Sequence, residues 1–210
     1  MTDFNALLAG YRRFRHQRWN RERERWHRLA EGQAPQVMVI ACSDSRVDPA
    51  SIFDTSPGEM FVVRNVANLV PPYEQGGGRH GVSAALEFAV TQLEIPEIVV
   101  LGHARCGGVA AALSRQFADA APGSGGFIAH WIDQLDEPRP RIVSELGEGP
   151  DALRALELET VRLSLLNLRS FPWIEEREAA GRLTLHGAFF AIADGRLDLL
   201  DEAQGVFYPA

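Results

Sequence analysis

Lysine is absent from this 210-residue chain, whose 21 basic residues are all arginine, and cysteine occurs only twice. Without lysine the chain has no Schiff-base or pyridoxal-phosphate chemistry and no phosphate-binding loop that ends in Gly-Lys-Ser/Thr. Two cysteines are too few for a disulfide framework or a four-cysteine zinc module. A domain of this length buries about 70% of its extended surface, so we expect it to fold without a disulfide or a structural metal.

Long apolar runs are also absent. No stretch approaches the roughly 20 residues that a membrane span requires, and the first residues lack the apolar centre of a secretory signal. The formal net charge is −7, whereas general nucleic-acid binding depends on positive charge that neutralises phosphates. We therefore expect a soluble, cytoplasmic protein that binds neither membranes nor nucleic acid.

Short, continuous apolar runs alternate with segments of helical spacing along the chain. Such runs are typical of strands that are buried on both faces of a parallel sheet. The predicted strands cover 36–41, 59–63, 97–101 and 183–192, and the predicted helices cover 80–94, 106–117, 127–136 and 150–168. The alternation predicts an α/β fold, with a central, mostly parallel β-sheet flanked by helices.

The N-terminal segment differs in charge from the rest of the chain. Residues 3–30 have the spacing of one amphipathic helix, and residues 1–30 hold eight arginines against three carboxylates, a balance of +5 that leaves −12 for the remainder. We divide the chain into an N-terminal helical arm, 1–32, and an α/β catalytic domain, 33–210. Arginines among aromatics also occur in RNA-binding arms, but the opposite charges favour docking between subunits.

The residues with the clearest chemistry directly follow predicted strands. Cys42 ends the first strand, and His103 and Cys106 follow the third. Because the carboxyl ends of parallel strands gather ligands and catalytic groups, we expect these three side chains to meet. Two thiolates and one imidazole suit zinc, and three protein ligands with an open fourth position are typical of catalytic zinc.

Asp44 leaves two alternatives open for that fourth position. Its carboxylate could bind the metal and close the site, or it could pair with Arg46 and leave the position to water. Each cysteine taken alone is explained as well by a small buried side chain. A redox pair is disfavoured because the cysteines are 64 positions apart. The conjunction of both cysteines with a His-x-x-Cys spacing favours a metal site.

Three segments carry a resemblance to a known family. Cys-Ser-Asp-Ser-Arg-Val at 42–47, Pro-Gly-Glu-Met-Phe-Val-Val-Arg-Asn-Val-Ala-Asn at 57–68 and Gly-His-Ala-Arg-Cys-Gly-Gly-Val at 102–109 resemble the β-class carbonic anhydrases. The resemblance is strong from about residue 33 to residue 113 and weaker to about residue 200. Its first and last motifs are the zinc motifs of that family.

The resemblance implies an activity and a set of site residues. It implies one Zn²⁺ per subunit, held by Cys42, His103 and Cys106 with Asp44 as a possible fourth ligand, and a zinc-bound hydroxide that attacks CO₂ to give bicarbonate. It implies that Asp44 and Arg46 are catalytic and gate the fourth position. It also implies a homodimer or a dimer of dimers, in which one subunit contributes to its neighbour's substrate pocket. The implied substrate-binding residues are Gln33, Phe61, Val66 and Phe88.

Two departures from the family pattern bear on function. Phe88 stands where tyrosine is usual, so a hydroxyl is missing from the pocket. One bacterial branch has an inhibitory bicarbonate site of tryptophan, arginine and tyrosine; Arg64 matches the arginine, but Val39 and Phe190 replace the other two. We therefore expect bicarbonate inhibition through that site to be weak or absent.

Two other functions remain open from the sequence. Relatives with the same zinc motifs hydrolyse carbonyl sulfide or carbon disulfide, and the zinc motifs do not separate these substrates from CO₂. A catalytically silent zinc protein is the other alternative, in which Asp44 stays bound to the metal.

Overall fold

Runs of buried aliphatic residues form a six-stranded sheet in the computed structural model, which describes residues 2–76 and 78–210. Within those residues the strand order is β2-β1-β3-β4-β5-β6, with β1 to β4 parallel and β5 and β6 antiparallel. The strands are β1 (Val37–Cys42), β2 (Met60–Asn65), β3 (Glu97–His103), β4 (Thr184–Ala191), β5 (Arg196–Asp201) and β6 (Val206–Pro209). The mostly parallel sheet of an α/β fold is confirmed.

The described helices lie between and before these strands. The first three are α1 (Phe4–His16), α2 (Arg18–Arg21) and α3 (Arg23–Glu31). The others are α4 (Pro49–Ile52), α5 (Gly81–Glu87, extended by a π-helical turn over Phe88–Gln92), α6 (Gly107–Leu113), α7 (Gly126–Ile132), α8 (Arg139–Leu146), α9 (Pro150–Leu168) and α10 (Pro172–Ala179). Among the described residues, no helix is both long and apolar enough to cross a membrane.

The chain order of the strands creates a crevice at one edge of the sheet. From β1 the chain passes to β2 on one side and then to β3 on the other, so the direction of winding reverses between β1 and β3. In open α/β sheets, ligands bind outside the carboxyl ends of the strands at such a switch point. Cys42 and His103 are the last residues of β1 and β3, so the topology places both at this crevice.

Two glycines allow α9 to lie directly on the sheet. A Cβ at Gly102 of β3 would lie 2.7 Å from Cγ2 of Val161, and a Cβ at Gly187 of β4 would lie 3.0 Å from Cγ1 of the same residue. Both distances are shorter than a carbon–carbon contact. The absence of these side chains therefore brings the middle of α9 up to the strand that carries His103.

The N-terminal segment is three short helices rather than the single predicted helix. Gln17 and Glu22 separate them, and Glu22, with a φ of −103° and a ψ of +22°, departs from helical backbone geometry. Near the first break the side-chain amide of Asn20 donates to the carbonyl of His16 at 3.2 Å. This bond competes with the backbone for that carbonyl and accounts for a kink there. Met1 lies outside the described residues.

The described residues form two compact units, which meet between Ala34 and Pro35. The predicted division after residue 32 stays a prediction.

The second unit contains two elements that the sequence analysis missed. No helix was predicted between 136 and 150, yet α8 begins at Arg139 with Pro140 in its first turn, where the missing N–H of proline has no helical partner to lose. The edge strand β6 follows a turn at 202–205.

Candidate metal centre

Three potential metal ligands meet at the carboxyl ends of β1 and β3. The ligand atoms of Cys42, His103 and Cys106 all lie within 4.8 Å of one another, and all three residues are buried. Cys106 immediately precedes α6, whose first turn directs the N–H groups of Gly108 and Val109 at its sulfur. The predicted convergence of these three residues is therefore present in the structure.

The spacing of the three side chains fits a zinc ion. The two sulfurs are 3.9 Å apart, close to the distance of about 3.8 Å between two sulfurs that each lie about 2.3 Å from a tetrahedral zinc. The Nδ1 atom of His103 lies 3.0 Å from the carbonyl oxygen of Ala104. An N–H···O bond there leaves Nε2 as the lone-pair donor. Across residues 2–76 and 78–210, this buried Nε2 makes no hydrogen bond of ordinary geometry, and the imidazole faces the thiol of Cys42, so Nε2 lies on the side where a shared metal would bind.

The surroundings of the cysteines favour a thiolate. Hydrogen bonds from Cys106, from His103 and from the backbone N–H groups of Asp44 and Ala67 together lower the pKa of Cys42 to about 4, against the opposing effect of burial. The same contact with Cys42 raises the pKa of the Cys106 thiol, and burial adds to the rise. A divalent cation bound by both sulfurs would favour the deprotonated form of each, because thiolates are the form that binds metals.

Asp44 and Arg46 form a bidentate ion pair beside the three ligands. Nε of Arg46 donates to Oδ1 of Asp44 at 2.9 Å, and Nη2 donates to Oδ2 at 2.7 Å. The same Nη2 donates to the carbonyl of Arg105 at 3.0 Å, which ties the pair to the loop before Cys106. Hydrogen bonding to Arg46 holds the pKa of Asp44 well below its usual range. In this structure Asp44 thus pairs with Arg46, and its role as a fourth metal ligand stays a prediction.

Of the three expected pocket residues in the second unit, Phe61, Val66 and Phe88, only Val66 lies at the site of this chain. Val66 packs against the first turn of α6, since a Cβ at Gly108 would lie 2.6 Å from its Cγ1. Trp131 of α7 fixes it by donating to the Val66 carbonyl at 2.8 Å. Val66 is 39% exposed, so it offers an apolar surface next to Cys106.

Phe61 and Phe88 lie elsewhere in the second unit. Their rings stack with centroids 6.1 Å apart. In the register of the sheet, Phe61 lies opposite Met38, which is four residues before Cys42 and about 13 Å away along the strand. Phe88 is 45% exposed. Gln33 is exposed and belongs to the first unit. The structure therefore does not bring Phe61 and Phe88 to the site of their own chain.

Arg64 braces the loop that carries Cys42 and Asp44. Its guanidinium donates to three backbone carbonyls, those of Cys42 at 2.9 Å, Asp44 at 2.7 Å and Val47 at 3.3 Å. It also lies 3.5 Å from Asp48. The sequence analysis noted Arg64 only as a bicarbonate-site match. Val39 is buried in β1, and Phe190 pairs with His103 in the register of β3 and β4.

Glu157 is a site residue that the sequence analysis missed. This carboxylate of α9 is buried and accepts a hydrogen bond from the backbone N–H of Cys106 at 2.9 Å. Burial raises its pKa, and the N–H groups of Cys106 and Arg105 oppose the rise. A signal existed in the sequence: Glu157, Thr160, Ser164 and Asn167 interrupt a largely apolar helix at spacings of three, four and three. That pattern predicts a polar stripe on one face.

Comparisons with known proteins find carbonic anhydrases. A family model described as carbonic anhydrase matches residues 37–197. The chain is 36% identical over 188 residues to beta carbonic anhydrase 6, mitochondrial, of Arabidopsis thaliana. The match covers 89% of this chain and 63% of that protein, so the chain spans less than two thirds of that relative's length.

Two solved structures resemble the chain over nearly its whole length. The β-carbonic anhydrase CcaA is 30% identical with a TM-score of 0.88, over 98% of this chain and 91% of that one. A β-carbonic anhydrase of the ascomycete Sordaria macrospora, described as tetrameric, is 31% identical with a TM-score of 0.82, over 94% of this chain and 96% of that one. The predicted fold and the resemblance noted from the motifs are thereby confirmed.

Proposed function

Because the chain belongs to the β-carbonic anhydrase family, we propose that it catalyses the reversible hydration of CO₂ to bicarbonate and a proton. The observation that carries this proposal is the cluster of two buried thiols and a buried imidazole beside an arginine-bound carboxylate. Cys42, His103 and Cys106 would hold one Zn²⁺ per subunit. The bound ion supplies Lewis-acid chemistry, lowering the pKa of water so that hydroxide is available to attack CO₂.

Asp44 orients the attacking water in this proposal. Its carboxylate is ionised and held in place by Arg46, so it acts as a hydrogen-bond acceptor and not as a proton source. Oδ1 accepts both the backbone N–H of Arg46, at 3.0 Å, and its Nε, whereas Oδ2 accepts only Nη2 and retains a lone pair. When Asp44 accepts one O–H of the water, a lone pair on the water oxygen is left to face the carbon of CO₂.

Arg46 also supplies positive charge to the site. Two thiolates and a neutral imidazole cancel the charge of a divalent ion, which weakens its effect on water compared with three neutral histidines. The guanidinium of Arg46 restores part of the positive potential, and its bond to the carbonyl of Arg105 fixes its position. Arg46 thus both holds Asp44 and favours negative charge on the attacking oxygen.

The proposed pocket combines two subunits. Val66 offers an apolar surface at the site, and CO₂, which is uncharged, loses little on leaving water for such a surface. Phe61 and Phe88 are too far from their own Cys42 to line the same pocket. We propose that they and Gln33 serve the site of a second copy in a homodimer, or a dimer of dimers.

Analytical ultracentrifugation tests the dimer. The full chain should sediment as a dimer or tetramer, and a variant without residues 1–32 should dissociate and lose activity, because the basic arm docks on the acidic partner. A shortened chain that stayed dimeric and active would count against docking by the arm.

The cytoplasmic location stays a prediction. The Arabidopsis relative is named as mitochondrial, and cell fractionation would decide between the two locations.

Stopped-flow CO₂ hydration by the zinc-loaded chain, from about pH 6.5 to about pH 9, tests the activity. The proposal predicts a rate that rises with pH as more of the bound water ionises. Turnover of carbonyl sulfide or carbon disulfide without CO₂ hydration would assign the site to those substrates instead. No turnover of any of them at full zinc loading would identify a silent zinc protein, an alternative that the pairing of Asp44 with Arg46 disfavours.

A further inference from the structure

One buried face of α9 carries polar groups where a core helix normally carries aliphatic ones. Glu157, Thr160 and Ser164 are all buried, and Asn167 is partly buried. Their spacing places them in line on one side of the helix; we call these four residues the polar seam. Buried polar groups cost stability relative to well-packed apolar side chains unless they are all hydrogen-bonded, so their partners indicate their use.

Three members of the seam hold the segment that follows β2. Thr160 accepts a bond from the side-chain amide of Asn68 at 3.2 Å. The hydroxyl of Ser164 donates to the carbonyl of Asn68 at 3.1 Å and accepts the N–H of Val70 at 3.2 Å. The side chain of Asn167 donates to the carbonyl of Val70 at 2.8 Å. All four bonds thus end on residues 68–70.

That segment adjoins the thiol of Cys42. The N–H of Ala67 is directed at the Cys42 sulfur, and Val66 lies against the first turn of α6. Ala67 and Asn68 have φ values of +64° and +50°, a left-handed conformation that is uncommon in residues other than glycine. Such a conformation persists only when surrounding contacts impose it, and the seam supplies those contacts.

The fourth member holds the other thiol in the same way. Glu157 accepts the N–H groups of Cys106, at 2.9 Å, and of Arg105. Arg105 is again a left-handed residue without being glycine, with a φ of +57°. Its carbonyl receives Arg46, the partner of Asp44. One helix face therefore anchors the loop that carries Cys106 and the segment whose N–H is directed at Cys42.

We propose that the polar seam of α9 is a positioning element that sets the distance and direction of the two thiols for the metal. Glu157 fixes the loop of Cys106, and Thr160, Ser164 and Asn167 fix the segment that directs the N–H of Ala67 at Cys42. These four are positioning residues and touch neither substrate nor metal. The inference rests on the proposed function only in assuming that the metal is zinc.

Zinc affinity by chelator competition, measured on the full chain, tests the seam without reference to catalysis. Glu157→Leu leaves the N–H of Cys106 without an acceptor, and Ser164→Ala removes two hydrogen bonds to residues 68–70. Each variant should bind zinc about 10- to 100-fold more weakly than wild type. Glu157→Gln keeps an acceptor oxygen for that N–H and should stay within about threefold of wild type. In the cobalt-substituted protein, the thiolate and ligand-field absorption bands should shift in the first two variants and not in the third.

Matched controls separate positioning from a general loss of stability. Glu159→Leu changes a glutamate of the same helix that pairs with Arg162 instead, and Ser144→Ala changes an exposed serine of α8. Both should leave zinc affinity and the cobalt spectrum unchanged. If Glu159→Leu or Ser144→Ala weakened zinc binding as strongly as the seam variants do, the positioning role of the seam would be wrong.

The remaining outcomes are also decisive. If Glu157→Leu and Ser164→Ala fold and bind zinc within about threefold of wild type, the seam only fills the core and the inference is wrong. If Glu157→Leu does not fold, Ser164→Ala decides alone, because it removes a single small hydroxyl. If the wild-type chain binds no zinc, both the proposed function and the role of the polar seam are wrong. If the wild-type chain binds zinc and the seam variants bind it equally well, only the role of the seam is wrong.

Discussion

The two halves of the metal site differ in how they are held. The half at the end of β1, with Cys42, Asp44 and Arg46, is an open loop stabilised by charged side chains, and Arg46 is about half exposed. The half at the end of β3, with His103 and Cys106, is sealed beneath α9. We therefore expect retention of the metal to depend on Cys42, His103 and Cys106, and the rate of reaction to depend on Asp44 and Arg46, so that substitutions separate the two properties.

The largest effect is expected in the sealed half. Cys106→Ser removes one of three ligands from a buried position, so the chain should lose its zinc and with it all measurable CO₂ hydration. Zinc content by mass spectrometry of the purified variant checks this expectation. If the variant kept its full zinc content and its activity, Cys106 would not be a ligand, and the proposed difference between the two halves would be wrong.

The next effect belongs to the open half. Asp44→Ala should keep its zinc but lower the rate of CO₂ hydration by about 10²- to 10⁴-fold, because the attacking water loses its hydrogen-bond acceptor. Zinc content and stopped-flow rates on one sample separate the two quantities. Asp44→Asn, which keeps the shape without the charge, serves as the control and should be nearly as slow. Loss of zinc in Asp44→Ala would instead make Asp44 a required ligand.

A smaller effect in the same half comes from Arg46→Lys. Lysine keeps the positive charge but not the two parallel hydrogen bonds to Asp44, and it reaches the carbonyl of Arg105 less well. We expect full zinc content and a rate about 10-fold lower, with Arg46→Ala about 100-fold lower. Equal rates for Arg46→Lys and wild type would mean that charge alone matters and that the position of Asp44 does not.

The smallest effect concerns Arg64, whose guanidinium supports the backbone of the open loop. Arg64→Ala frees three backbone carbonyls and should lower the free energy of unfolding by about 1 to 3 kcal/mol, measured by urea denaturation. Its response to bicarbonate should match the weak response of wild type, since Val39 and Phe190 cannot complete that site. Cooperative inhibition of wild type below about pH 8 that vanished in Arg64→Ala would refute this.

The sequence predicted the sheet and the three ligands because both depend on local patterns. Buried strands appear as continuous apolar runs, and a ligand at the last residue of such a run is placed by the topology of the sheet alone. The arm was predicted less well, because the competition of the Asn20 side chain for a backbone carbonyl leaves no trace in hydrophobic spacing. The helix after Pro138 was missed because proline both ends and begins helices.

The support of the site was harder to predict than its ligands. Glu157 lies 51 positions after Cys106, and no local pattern links a buried glutamate of one helix to a backbone N–H of another loop. Phe61 and Phe88 were assigned to the pocket through the family motifs, and the register of β2 shows that they lie far from Cys42 of the same chain. Under the proposed function they serve the site of a second copy, and no pattern of hydrophobic spacing within one chain specifies such a contact.

X-ray absorption at the zinc edge of the wild-type chain tests the central claim most directly, namely that one zinc is held jointly by the open and the sealed half. The account predicts one zinc per chain with two sulfur neighbours at about 2.3 Å and an imidazole among the lighter neighbours. A zinc with fewer than two sulfur neighbours would contradict it, because Cys42 and Cys106 would then not share the metal.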